Sequence, residues 1–180
     1  YPAYWDNADT NDSNESTLSE GGGFILDALP LGEINIIYKE ELTYAMEHIG
    51  GPFVFRFYKL PFHSGIYAPR CVQEFNGKHF VWTKDDVIIH NGQESFSVID
   101  LKNKEYLFNN VAAGKERKAY VAANKKENEL WLCFVSVTVD GDFPDTALVY
   151  NWKDKTWGHR NLEGVAFATW GLLDKSAETS

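Results

Sequence analysis

The apolar positions of this chain fall in short runs, not in long periodic stretches. From Phe24 onward, runs rich in Ile, Val, Phe, Tyr and Trp alternate with polar clusters containing Gly, Asn, Asp or Pro. That is the pattern of β-strands separated by turns. No stretch sustains an apolar period of 3.6, so little helix is expected. Glu33–Lys39 and Leu42–His48 read as a first hairpin, after which Ile49-Gly50-Gly51-Pro52 turns the chain into Phe53–Leu60. In that last run Arg56 and Lys59 break strict alternation, which predicts a strand buried on much of both faces. Pro61–Pro69 is a loop.

Cys71–Phe75 opens a second sheet, with Asn76-Gly77 as its hairpin turn because both residues tolerate positive φ. His79–Thr83, Val87–His90 and Ser95–Leu101 follow, with a second such turn at Asn91-Gly92. A third sheet reads Ala119–Ala123, Glu129–Phe134 and Ala147–Trp152 and closes on Thr156–Arg160. Lys115-Glu116-Arg117-Lys118 is a charged run, expected as a solvated turn or the start of a short helix.

Two echoes organise these strands. Ile36-Ile37-Tyr38-Lys39-Glu40-Glu41 is written again, 44 residues later, as Phe80-Val81-Trp82-Thr83-Lys84-Asp85-Asp86. Each copy is an apolar, aromatic run, a tight Lys/acidic turn, and a second apolar run. Ile99-Asp100-Leu101-Lys102-Asn103-Lys104-Glu105-Tyr106 likewise resembles Tyr150-Asn151-Trp152-Lys153-Asp154-Lys155-Thr156-Trp157, a strand end meeting a Lys-rich turn and then an aromatic. Short strands repeating every 40–50 residues or so are the signature of propeller blades. The expected fold is therefore mostly β, with β-propeller-type antiparallel sheets forming about three blades of a larger propeller.

Composition agrees with that reading. The 180 residues suffice for one domain with a sizeable core, and the 15% aromatic content suits packing on pleated surfaces. The net charge of −9 is uneven, since Tyr1–Gly23 holds Asp6, Asp9, Asp12, Glu15 and Glu20 and no Lys or Arg. No basic field exists for gripping nucleic acid through its phosphates. The apolar runs are too short for a membrane span. Three segments follow: a flexible acidic loop or linker over 1–23, blades over 24–173, and a disordered tail over 174–180. Tyr1–Trp5 reads as the end of an earlier strand. Tyr1 is not an initiator Met, and a piece of a longer polypeptide is the expectation. Cys71 and Cys133 have no CxxC partner, and a buried free thiol is favoured over a disulfide for Cys133 inside Leu130–Phe134.

Candidate chemistry is thin. Asp140-Gly141-Asp142-Phe143-Pro144-Asp145 resembles a calcium loop but lacks the distal Glu and the fixed Gly, so an acidic surface hairpin is expected. His79 and His90 would approach each other across a hairpin, yet no Cys or His at zinc spacing joins them. His63-Ser64-Gly65 is not a nucleophile elbow, and Gly21-Gly22-Gly23 has no phosphate-loop Lys. The turn at Asn151–Trp157 lacks the Gly of an aspartate-box turn, and Asp85-Asp86 would point to opposite faces of a strand. The expectation is no catalytic residue, no metal, no cofactor, and not an enzyme.

Ala28-Leu29-Pro30-Leu31-Gly32-Glu33-Ile34 through Lys39-Glu40, and Tyr44 through His48-Ile49-Gly50-Gly51-Pro52-Phe53-Val54-Phe55, carry a further signal. So do Gly65–Arg70, His79–Thr83 through Ile89-His90-Asn91-Gly92-Gln93, and Ala147–Trp152 through Thr156-Trp157. Over Gly22 to Leu162 the chain resembles the β-propeller tail hub or nozzle proteins, also called tail accessory or stabilisation factors, of short-tailed double-stranded-DNA phages. The resemblance implies a structural virion protein of the tail, assembled in the host cytoplasm as a homo-oligomeric ring, typically of six copies. Such a ring extends the DNA channel below portal and adaptor proteins and docks tail fibres, spikes or a needle. Passing DNA would be repelled by an acidic wall instead of being bound by sequence, and Lys118, Lys125 and Lys126 in the lumen would contradict that. Asp6–Gly23 is then a candidate subunit or fibre contact. The alternative is a carbohydrate-binding or glycan-hydrolysing propeller, with Trp82, Trp152 and Trp157 as stacking surfaces. A kelch-like interaction propeller is a third reading.

Overall fold

The computed structural model describes Leu18 and residues 21–50, 54–62 and 64–169. The readings made of Tyr1–Trp5, of most of Asp6–Gly23, of Gly51–Phe53, of His63, of the blade segment over 170–173 and of the tail over 174–180 lie outside the described residues. The rest is mostly β: twelve strands in three antiparallel four-stranded sheets, each a simple meander. Sheet 1 holds β1 (Ile25–Leu31), β2 (Ile34–Lys39), β3 (Thr43–His48) and β4 (Phe55–Lys59) in chain order. Sheet 2 holds β5 (Val72–Phe75), β6 (Lys78–Trp82), β7 (Val87–His90) and β8 (Ser95–Ser97). Sheet 3 holds β9 (Tyr120–Asn124), β10 (Glu129–Phe134), β11 (Thr146–Asn151) and β12 (Thr156–Asn161).

Turn chemistry sets these registers. The 44-residue echo is a true structural repeat: Lys39 N–H donates to Leu42 O at 2.8 Å, and Thr83 N–H donates to Asp86 O at 2.9 Å. Both hairpins thus close over two-residue turns, and the register places Tyr38 opposite Thr43 and Trp82 opposite Val87. Asn76 (φ 48°) and Gly77 (φ 70°) turn β5 into β6 in the left-handed conformation that Asn-Gly accepts cheaply. Pro30 lies on β1, the edge strand of its sheet, where a missing N–H breaks no ladder.

Strand alternation determines what each face meets. Ile36 and Tyr38 of β2 join the main core, whereas Ile37 joins a separate cluster on the other face of sheet 1. Leu130, Leu132 and Phe134 of β10 join the main core, whereas Cys133 faces outward from sheet 3. Sheet 2 is apolar on both faces. His79 and His90 meet Tyr38 of sheet 1, while Phe80 stacks on Tyr150 of sheet 3 at 5.9 Å and Trp82 meets Phe134 edge-on at 6.1 Å. One core therefore runs through the three sheets with sheet 2 in the middle.

The first strands of the sheets are neighbours, β5 lying beside β1 and beside β9. Arg70, just ahead of β5 and held at φ 68°, joins all three. Its N–H donates to Asp27 Oδ2 of β1 at 2.7 Å, and its carbonyl accepts from Val121 N–H of β9 at 2.8 Å.

Three sequence expectations are corrected. The run at Phe53–Leu60 is not buried on both faces: β4 is an edge strand with Phe55 46% and Tyr58 36% exposed. Ser95–Leu101 does not continue as a strand, because β8 ends at Ser97 and an α-helix, α1 (Leu101–Asn110), begins at Leu101. Asp100 caps it, Oδ1 accepting from Asn103 N–H at 3.0 Å. The second echo is therefore not a repeat of one motif, since its first copy enters a helix and its second is the β11–β12 turn. Asp100 and Asn151 share only the capping role, Asn151 Oδ1 accepting from Lys153 and Asp154 N–H at 3.0 Å each. The charged run at 115–118 holds a single 3₁₀ turn, Glu116–Lys118.

Candidate functional site

Two features stand out: the outward faces of sheets 1 and 3, and a polar node buried between sheets 1 and 2. The outward face of sheet 1 is the cluster Ile37, Leu42 and Tyr44, with Met46, Phe57 and Leu18 packed against it. Leu18 comes from the N-terminal segment, which is pinned here by Lys39. That buried ammonium donates to Leu18 O at 3.0 Å and to Gly21 O, while Glu41 N–H donates to Gly22 O at 3.1 Å.

The outward face of sheet 3 carries Tyr120, Cys133, Ala147 and Val149, with Ala122, Trp131 and Leu162 against them. The chain beyond β12 folds back over part of this face. It leaves an apolar groove of about 350 Å³ lined by Tyr120, Ala122, Trp131, Cys133, Leu162 and Val165, among others. A sheet face this apolar is the kind of surface that another sheet covers.

The buried node is built by the hairpin register. His79 and His90 stand directly opposite each other on β6 and β7, as the sequence led us to expect, and both are fully buried. Between them, from the facing sheet, comes the Tyr38 hydroxyl, 2.8 Å from His79 Nδ1 and 2.6 Å from His90 Nε2. His79 Nε2 lies 2.9 Å from Pro30 O, and Gly92 N–H donates to His90 Nδ1 at 3.2 Å.

The two ends of this chain fix every proton in it. A carbonyl only accepts, so His79 Nε2 carries its hydrogen and Nδ1 accepts from Tyr38; an amide only donates, so His90 Nδ1 is bare and Nε2–H donates to Tyr38. Both imidazoles are neutral. Burial lowers both pKa values, His90 to about 3 with the neighbouring His79 adding to the effect. Burial also raises the Tyr38 pKa, so the phenol keeps its proton. Sequence reasoning located the histidine pair but missed Tyr38, which reaches them only once sheets 1 and 2 are placed face to face.

The remaining candidates take structural roles. Asp140 and Asp142 are exposed on the β10–β11 loop, Asp142 pairing with Lys115 at 2.6 Å. Asp145 turns inward, its two oxygens accepting from Ser136 N–H and Oγ–H at 2.9 Å each. Among the described residues no group of three or more His, Cys, Asp or Glu is placed to hold a metal ion, and no helix is long and apolar enough to cross a membrane.

Cys71 and Cys133 are free and buried, and burial raises both thiol pKa values, Cys133 to about 12. The tryptophans of a sugar platform are built into the packing instead. Trp82 is fully buried and stacked on Tyr67 at 4.7 Å, Trp152 packs on Phe75 at 5.3 Å, and Trp157 Nε1–H donates to Val98 O at 3.1 Å. Asp85 is exposed at its turn, and Asp86 is tied to Ser97 Oγ at 2.9 Å. Neither a protein-family model nor a curated protein matches this chain.

Proposed function

We propose that the three sheets are consecutive blades of a β-propeller, and that the protein works by assembly, not catalysis. The carrying observation is that the outward faces of sheets 1 and 3 are as apolar as faces that sheet 2 buries internally. Four-stranded meanders whose first strands lie together support the same reading, since that is how blades surround a propeller axis. The occupant of each outward face is a further four-stranded sheet.

The sequence resemblance then favours a hub or nozzle protein of a short-tailed phage. It would form a ring, typically of six copies, that extends the DNA channel below portal and adaptor and docks fibres, spikes or a needle. The net charge of −9 suits a wall that repels a passing phosphate backbone. Lys125, one of the lysines that would argue against such a wall, lies 3.6 Å from Glu74, and Lys118 sits over the Phe143 ring. Mass photometry of the full-length protein tests this reading: rings of about six subunits are expected, and a monomer at all concentrations would sink it.

A further inference from the structure

We infer that the ordered chain Gly92–His90–Tyr38–His79–Pro30 is an acid-operated latch between sheets 1 and 2. It goes beyond the assembly reading and does not depend on it. Four hydrogen bonds use all four imidazole nitrogens and both the hydrogen and a lone pair of the phenol. Because an amide starts the chain and a carbonyl ends it, the bonds have one direction and no alternative arrangement.

An added proton has no place. On His90 it would sit at Nδ1, facing the Gly92 N–H, donor against donor. On His79 it would sit at Nδ1, facing the Tyr38 O–H, which has nowhere else to turn because His90 Nε2–H already points at its oxygen. Protonation of His79 therefore breaks a link between the sheets, and protonation of His90 breaks the Gly92 contact that holds its ring toward Tyr38. Buried, unpaired polar groups are costly, so the seam opens in preference to retaining the clash.

The surroundings offer little relief. Phe62 lies against His90 with ring centroids 4.8 Å apart. The charged groups that act on the node are Glu74 of β5, which favours a charged His79 but less strongly than burial opposes it, and Asp27 of β1, which adds to the burial that keeps Tyr38 protonated. The sheet 1–sheet 2 seam is where acid acts first, because the sheet 2–sheet 3 seam is made of Phe80 on Tyr150 and Trp82 on Phe134.

Long-range ¹H–¹⁵N correlation of the histidine rings in the whole chain, followed from about pH 7 down to about pH 4, reads the latch directly. Both rings are expected as neutral Nε2–H tautomers at the start. As pH falls, amide exchange in β2 and β3, corrected for its intrinsic rate, should report a seam-opening equilibrium that grows up to about tenfold per pH unit for each histidine taking up a proton. The β10 and β11 amides should remain protected. Tyr38→Phe should keep both rings in the Nε2–H form, which Pro30 O and Gly92 N–H dictate, while seam opening at about pH 7 increases; if that variant does not fold, the wild-type spectra decide. A charged ring near neutral pH, an Nδ1–H tautomer for either residue, or equal acid sensitivity in β10–β11 would overturn the latch.

Discussion

Gly65 lies with its α-carbon against the peptide group joining Glu40 to Glu41, so closely that a β-carbon would fall on the Glu40 carbonyl. The loop between sheets 1 and 2 is thereby seated on the β2–β3 turn. Thr43 Oγ–H donates to Ser64 O at 2.6 Å and Ile66 N–H donates to Lys39 O at 3.1 Å, fixing the loop on either side. Gly65→Ala must displace backbone, and a loss of about 1–3 kcal/mol in chemical denaturation is expected. Gly32, where nothing stands near an added β-carbon, is the contrast for space alone: there the cost of Ala comes from its φ of 61°.

Tyr38→Phe removes one hydroxyl and leaves two buried imidazole nitrogens without partners. The expected cost is about 2–4 kcal/mol, larger than for Tyr→Phe at a surface position. The pH dependence has a definite sign. His90 titrates near 6.5 when unfolded and about 3 when folded, so below pH 6.5 the unfolded chain binds a proton that the folded chain refuses. The contribution is complete above pH 6.5 and shrinks as pH falls toward 3. His79 acts in the same direction. Urea midpoints measured across this range should fall with acidification, and replacing both histidines by Gln should flatten the slope.

Asp145 holds the start of the β10–β11 loop through Ser136. Asp145→Ala orphans the Ser136 amide and should lower stability by about 1–3 kcal/mol, whereas Asp145→Asn keeps an acceptor and should lose less. Thermal denaturation of the pair separates hydrogen bonding from the mere presence of a carboxylate.

Both cysteines are buried with thiol pKa values raised, and only the thiolate reacts. A thiol reagent should label neither in the native protein at neutral pH and both after unfolding. Rapid native labelling would contradict the packing of Cys71 in the core and Cys133 under the sheet 3 groove.

Met46 and Trp131 lie on the outward faces of sheets 1 and 3, away from the shared core. Met46→Lys and Trp131→Glu place a charge where a further blade would pack, and should lower the stability of the full-length protein in chemical denaturation by about 1–3 kcal/mol. An unchanged midpoint for both would show that no further sheet covers these faces.

Much of the fold was legible in the chain. The Glu40-Glu41 and Lys84-Asp85 turns announced equivalent hairpins, and Asn76-Gly77 announced a third, because turn geometry is decided by local residues. α1 was missed because Leu101–Asn110 is largely polar and buries only Leu107, leaving no apolar stripe; Asp100 followed by Asn103 was the signal available. β4 was misread because an edge position depends on strand order, which periodicity does not encode. The approach of His79 to His90 was readable from one hairpin, but Tyr38 belongs to another sheet, and pairing between sheets is written in no local pattern.

The central claim is that sheets 1, 2 and 3 are blades completed by other sheets. Electron cryomicroscopy of the full-length assembly tests it most directly. The account predicts a closed propeller in which one four-stranded sheet covers Ile37 and Tyr44 and another covers Val149 and Trp131. A map in which no further sheet packs on either face would contradict it.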